Sequence, residues 1–432
     1  MRRGPGWPVA WSKRASLNGG AGRSLAGLAA AALAVLASAC SIESASSAEE
    51  ESQRKDGPSA RAGLRSLDPP AAAGAFAPSL TVAAGRLVAS WLEKTEVGGA
   101  PGHRLLVSAF DETGWSSPAV IVAGNDFFAN WADFPAVIEA GDGSLLAHWL
   151  AKTGEETYAY SIFVARSTDG GASWTALGPL HDDATPTEHG FVSWIAEEDG
   201  ARAFWLDGRE MVDGGAMTLR TARVGAEIGT AEVLDERVCE CCGTGAVSVA
   251  SGPLVVYRDR SEEEIRDISV VRFEDGWTRP AAVAVDGWKI PGCPVNGPRV
   301  AARGERLAVV WFTAAGEEPR VKMAFSIDGG AGFEPPIVLD RAAPFGRTDV
   351  VLDDDGAAWV VWLAQSGERA AVRLQRVPIE GAPDEPMLIG ETAGGRTSGF
   401  PRLARIGARL FVAWVELDGD GPSRVRVAEL AG

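Results

Sequence analysis

FPAVIEAGDGSLLAHW, residues 134–149, is an alternating apolar run, a Gly-Asp-Gly break and a second apolar run closed by tryptophan. Period-two alternation marks a strand, and the Gly/Asp break supplies the turn, so the stretch reads as one β-hairpin. The same pattern recurs in APSLTVAAGRLVASW, FVSWIAEEDGARAFW, TGAVSVASGPLVVY, GPRVAARGERLAVVW, RTDVVLDDDGAAWVVW and FPRLARIGARLFVAW. The closing aromatics are Trp91, Trp149, Trp205, Tyr257, Trp311, Trp362 and Trp414, a period of about 54 residues. A period that long belongs to a repeat architecture in which one hairpin-based unit cannot bury its own faces.

Working outward, each hairpin is followed by a third strand, such as YSIFVARS, DISVVRF or RVKMAFS, and most units add a short fourth, such as PAVIV or PPIVL. Long helical periodicity is absent. Four antiparallel strands repeated radially make a β-propeller blade, so the expected fold class is all-β, with seven blades preferred and six plus one aberrant unit as the fallback. The last unit ends after its third strand, RVRVAEL. Its fourth is expected from the N-terminal side, around Leu64–Leu67, which would close the ring.

The ends set the expected domain plan. Residues 1–39 carry five basic side chains and no acid, then a short apolar run that stops at Cys40. That is the layout of an export signal with a lipobox-like end, Cys40 becoming a lipidated N-terminus in the cell envelope. Residues 40–74, rich in Ser, Ala, Pro and charge, read as a disordered tether, and 75–432 as the propeller. The full chain has 41 basic and 58 acidic residues, a net charge of −17, and loss of the leader makes it more acidic still. Such a surface argues against nucleic acid and leaves the N-terminal lipid as the only membrane contact. A monomer is expected.

STDGGASW (Ser167–Trp174) lies between the third and fourth strands of the second unit, and SIDGGAGF (Ser326–Phe333) holds the same place in the fifth. FDETGW and FEDGW keep only the acid, glycine and tryptophan. Ser-x-Asp-x-Gly-x-x-Trp is the Asp-box, and through it the chain resembles the sialidase-like superfamily of β-propellers. Asp169 is read as a turn aspartate accepting backbone N–H groups, with no catalytic duty. In that superfamily three arginines hold the substrate carboxylate, a tyrosine–glutamate pair is the nucleophile, an aspartate is the acid/base, and an Arg-Ile-Pro motif precedes the first blade. Here Arg-Ile-Pro is missing and only three tyrosines exist. The resemblance therefore implies fold and a glycan-like ligand more than it implies hydrolysis.

Function is argued from loops, because a propeller displays them on a rigid frame. The loops leading into each first strand, and those joining second to third strands, share the face opposite the Asp-boxes. They carry Arg209, Arg258, Arg260, Arg347 and Arg396, which by converging would bind a carboxylate or sulfate bidentately. The competing reading pairs each arginine with a local acid, as RDRSEEEIRD invites. Asp133, His189 and Asp207 are the candidates for proton transfer, against a plainer role in turns and caps. A sialidase-type hydrolase would use Arg258, Arg347 and Arg396 with Asp133 as acid. An envelope interaction scaffold would use an aromatic rim including Phe127, Phe128 and Trp131.

RVCECCGTGAV (Arg237–Val247) and PGCPVNGP supply Cys239, Cys241, Cys242 and Cys293. In an oxidising compartment an even set of cysteines reads as disulfides that brace the rim. Three pairings are open, and a Cys242–Cys293 bridge between neighbouring units is sterically reasonable. Thiolates could instead hold copper(I) or zinc, but Cys-x-Cys-Cys is not a usual zinc spacing and no histidine is close in sequence. Braces are the expected state, with no metal and no cofactor.

Overall fold

A computed structural model describes residues 63–430. The expected leader, Cys40 and all but the end of the tether lie outside that range. The described chain forms seven antiparallel sheets in a ring, each a four-stranded blade, with one extra two-residue strand in the first.

The blades follow chain order. Their first strands are Phe76–Ala83, Ala136–Glu139, His189–Glu197, Gly245–Val249, Arg299–Arg303, Pro344–Leu352 and Arg402–Ile406. Each first strand packs on the next, and the seventh on the first, so these strands form the inner wall. The seventh blade is completed by Leu64–Ser66, antiparallel to Arg424–Leu430 with Leu64 opposite Leu430. The expected ring closure is thus found, and the seven-blade reading holds over six.

Each blade is apolar on both faces, and the core is a set of slabs between neighbours. One slab joins Leu146, Leu150 and Ile162 of blade two to Ala201, Ala203 and Trp205 of blade three. Equivalent slabs follow around the ring, ending where Phe411 and Val427 of blade seven meet Leu87 and Phe110 of blade one. No blade could bury this surface alone, so its stability depends on both neighbours.

The closing aromatics sit in these slabs, all buried. A buried indole N–H needs an acceptor. Three blades take it from the neighbour: the end of the preceding blade's fourth strand offers Asp235 to Tyr257 Oη (2.5 Å), Asp286 to Trp311 Nε1 (2.8 Å) and Asp340 to Trp362 Nε1 (2.7 Å). Trp91 and Trp205 use Glu93 and Asp207 of their own strands.

In the Ser167–Trp174 turn, Asp169 Oδ1 accepts the Ser173 N–H at 2.9 Å and Trp174 donates to the Gly171 carbonyl. In the Ser326–Phe333 turn, Asp328 accepts the Gly332 N–H at 2.9 Å. Both aspartates are consumed within their turns.

Register brings out a second regularity. The residue paired with the position before each closing aromatic is Ser79, Ala136, Ser193, Gly245, Arg299, Asp349 or Arg402. Blades five, six and seven therefore carry Arg, Asp and Arg at one equivalent level of the inner wall. Two residues earlier, Ala77, Phe191 and Arg347 adopt left-handed backbone (φ 53°, 58° and 56°) at β-bulges in blades one, three and six. Such conformations are costly for non-glycine residues and persist only where surroundings hold them.

Candidate ligand site at the mouth of the ring

Two of these bulges are held by the same device. The N–H of Phe191 is bound by Asp133 Oδ1 at 2.8 Å, and that of Arg347 by Asn296 Oδ1 at 2.7 Å. Asp133 and Asn296 each stand three residues before the equivalent wall position of the preceding blade. The acceptor crowds the residue before the bulge: a Cβ at Gly190 would lie 1.8 Å from Asp133 Oδ2, and one at Gly346 2.4 Å from Asn296 Oδ1. Glycine is required there because the cap occupies the space of a side chain.

Asp133 thereby gains a structural duty beside its proposed chemical one. Burial pushes its carboxyl up to about 7, although the Phe191 N–H and the Tyr160 hydroxyl favour the anion. Tyr160 Oη lies 3.0 Å from Asp133 and 2.8 Å from Glu188, whose carboxyl burial raises to about 8. Glu188 was not singled out in the sequence. Tyr160 itself is fully buried, stacked on Phe128 at 4.0 Å.

His189 and Asp207 form a separate knot. His189 Nε2 is 3.0 Å from Asp183 and 3.5 Å from Asp207, and its ring stacks on His181 at 3.9 Å. Asp207 accepts from Trp205 Nε1 and from two nitrogens of Arg209. Burial opposes its ionisation, yet His189, Arg209 and Trp205 hold it well below the usual carboxylate range. A carboxylate held by these partners anchors its neighbours.

The five candidate arginines separate into three kinds. Arg209 spans Asp207 and Asp182, and Arg260 spans Glu240 and Glu264, so both follow the local-pairing reading. Arg258 is 1% exposed and gives its hydrogen bonds to the carbonyls of Asn296, Arg266 and Phe312 while lying 4.9 Å from the Trp288 ring. It is a wall component, closed to a ligand at the mouth.

Arg347 and Arg396 behave differently. Arg347, on the first strand of blade six, lies 4.7 Å from the Trp131 ring centre, and Arg396, in the connection from blade six to blade seven, 5.9 Å from it. Arg347 bonds through Nη1 to Ser398 Oγ and to the Gly395 and Gly399 carbonyls. The exposed Arg396 guanidinium has no hydrogen bond or ion pair among the described residues. Among the described residues neither meets a carboxylate. Burial, and then Arg396, pull Arg347 below the usual guanidinium range. Arg402 adds a third cation across the mouth, 4.4 Å from the Phe134 ring; burial and Arg299 lower it too, with Asp349 a partial offset at 4.0 Å.

Arg299 and Arg402 were missed, yet their signal was present. GPRV and FPRL place arginine straight after proline at one repeat position of an otherwise apolar strand. Beside these cations opens a pocket of about 520 Å³, lined by Trp131, Phe134, Phe400, Phe76, Asn130 and Lys94 among others. Aromatic faces with a few polar groups, next to the Arg347–Arg396 pair, suit a ring-bearing anion.

The cysteines stand nearby on the same face. Cys241 is bonded to Cys293, and Cys239 and Cys242 are buried free thiols 3.4 Å apart. Of the three open pairings only the Cys241–Cys293 bond is formed, in place of a Cys242–Cys293 bridge, and the expected second brace through Cys239 and Cys242 is not made. Chain reversal within Cys-Glu-Cys-Cys turns Cys239 and Cys242 inward together and leaves Cys241 facing the neighbouring loop.

The class defined so far is a seven-bladed propeller with an acid-free arginine pair at its mouth. No protein family matches the sequence, and no curated protein does. Among solved structures, the chain is similar to a protein of unknown function from Dyadobacter fermentans, with 16% identity and a TM-score of 0.50 over 85% of this chain and 99% of that one. It is also similar to the polysaccharide lyase Uly1, with 9% identity and a TM-score of 0.50 over 82% and 89%. Trypanosoma rangeli sialidase aligns at 12% identity and a TM-score of 0.44, over 74% of this chain and 56% of that one. At these identities the likeness is one of fold.

Proposed function

We propose that the protein binds an acidic sugar, a uronate or a related carboxylated glycan, at the ring mouth on the face opposite the Asp-boxes. The observation that carries the reading is the convergence of Arg347 and Arg396 on Trp131 without any carboxylate partner. A sugar ring seated in the adjoining aromatic pocket, beside Trp131 and Phe134, would leave its carboxylate to the two guanidinium groups, relieving their mutual repulsion. Likeness to a polysaccharide lyase propeller supports carbohydrate as the ligand class.

Sialidase-type hydrolysis is the weaker reading. The one tyrosine bonded to a glutamate, Tyr160, has no exposed surface from which to attack a substrate. The scaffold reading is weaker still, since Phe127 is buried and Phe128 is taken up by Tyr160. Export through the leader and lipid attachment at Cys40 complete the proposal. Radiolabelled fatty acid should enter the wild-type chain and be lost from Cys40→Ser.

Calorimetry with acidic and neutral oligosaccharides of equal length tests the ligand class. Binding of the acidic series is expected, weakened at least tenfold (about 1.4 kcal/mol) in Arg396→Ala and falling with salt. Arg303→Ala, an exposed residue on the Asp-box face, should bind as wild type. Equal binding of neutral sugars, or no effect of Arg396→Ala, would refute the proposal.

A further inference from the structure

Four sulfurs from two adjacent loops meet at one point: Cys239, Cys241, Cys242 and Cys293 all lie within 4.8 Å of one another. Cys239 is 3.4 Å from Cys242 and 3.8 Å from Cys293. A tetrahedral four-thiolate ion with metal–sulfur bonds of about 2.3 Å has sulfur–sulfur edges of about 3.8 Å. Disulfide pairing also fits such a cluster, so distance alone does not choose.

The charges around the cluster do. Arg258, Arg260 and Arg266 surround this corner; among the described residues their carboxylate partners are Glu240 and Glu264 alone, both engaged by Arg260 and Arg266. Arg258, 1% exposed, meets no acid among the described residues and gives its hydrogen bonds to carbonyl oxygens. Its backbone carbonyl binds the Cys239 N–H at 3.0 Å, which sets its strand end against the cysteine loop. Arg266, equally buried, donates Nη1 to Cys239 Sγ at 3.1 Å, an N–H···S bond of the kind that supports a thiolate ligand. A buried cation without a counter-charge is expensive. Two disulfides would be neutral and leave Arg258 uncompensated; four thiolates around one ion carry net negative charge and compensate it.

From the sulfur geometry and the unmatched Arg258 we propose that, in the fully reduced chain, Cys239, Cys241, Cys242 and Cys293 form a closed site for one thiophilic d¹⁰ ion, Zn²⁺ or Cu⁺. Cys239 and Cys242 form its buried floor, and the exposed Cys293 is the side from which the ion enters. The Cys241–Cys293 disulfide is the metal-free, two-electron-oxidised form of the same site, and a thiol or phosphine reductant must open it before metal binds. In the metal-bound form the site fastens the loop ahead of blade four to the loop ahead of blade five, beside Asn296, which caps Arg347.

The test uses the full chain, reduced with a phosphine under anaerobic conditions and split into Zn²⁺ and Cu⁺ arms. After desalting, elemental analysis should find one ion per chain in at least one arm, with the four thiols protected from alkylation. X-ray absorption should show a sulfur-only shell near 2.3 Å. Competition with a zinc or a copper(I) chelator separates the two ions. Cys293→Ser, which changes an exposed atom, should weaken retention at least tenfold while near-ultraviolet circular dichroism stays native. If reduced protein retains neither ion and all four thiols alkylate freely, or if Cys293→Ser retains metal as wild type, the site is refuted. The sugar-binding proposal does not depend on this outcome.

Discussion

Asp133 and Asn296 show how one chemical task is performed by an acid in one blade and an amide in another. Each caps the N–H of a left-handed residue on the next blade. The cap needs only the Oδ1 acceptor, and an asparagine N–H can donate to Tyr160 Oη while that hydroxyl donates to Glu188. Asp133→Asn should therefore fold with little loss, whereas Asp133→Ala leaves a buried N–H unpaired and should cost about 1–3 kcal/mol in urea unfolding. The pH response separates the variants further. Asp133 and Glu188 have folded values near 7 and 8, above their unfolded ones. Their contribution to stability is therefore complete below the unfolded values near pH 4 and is lost progressively as pH rises to 7 to 8, because over that window folding must take up protons that the unfolded chain has already released. The stability slope between pH 5 and 8 should flatten in Asp133→Asn. An unchanged slope would mean that Asp133 is ionised in the fold.

At the scale of strands, the link between blades is both apolar and polar. Tyr257, Trp311 and Trp362 each find their acceptor on the preceding blade, so the hydrogen bond crosses the same slab that buries the ring. Removing Asp340 leaves an indole N–H buried and unpaired; removing the N–H leaves a carboxylate. A double-mutant cycle of Asp340→Ala with Trp362→Phe should thus show a coupling of about 1–2 kcal/mol, measured by denaturant midpoint. Strict additivity would mean that water satisfies both groups.

For the whole molecule, stability depends on closing the ring. Leu64–Ser66 completes blade seven, Leu67 donates its N–H to the Val427 carbonyl, and the Leu67 carbonyl accepts from Trp115 of blade one. A chain beginning after Leu67 would expose the edge of Arg424–Leu430 and part of the slab shared by blades seven and one. We expect that truncation to lower the melting temperature by at least several degrees and to promote self-association, read by calorimetry and light scattering. Equal melting temperatures would show that the ring holds without this strand.

The repeat, its strand count, its closing aromatics and its ring closure were all legible in the sequence. Each rests on local alternation, turn residues or a period, and those are written along the chain. Arg299 and Arg402 were legible in principle, as cations in apolar strands at one repeat position. The sorting of the arginines was not legible. Arg258 and Arg347 look alike in a loop, and each gives hydrogen bonds to carbonyls and lies over an indole; they differ in that Arg258 is enclosed in the wall, whereas Arg347 shares its indole with the exposed Arg396. The cysteine geometry was equally closed to the sequence, because it depends on how two loops fifty residues apart stack on neighbouring blades. Sequence determined the ring because each blade follows local rules; tertiary structure decided the site, because which charges find partners depends on groups that only the closed ring brings together.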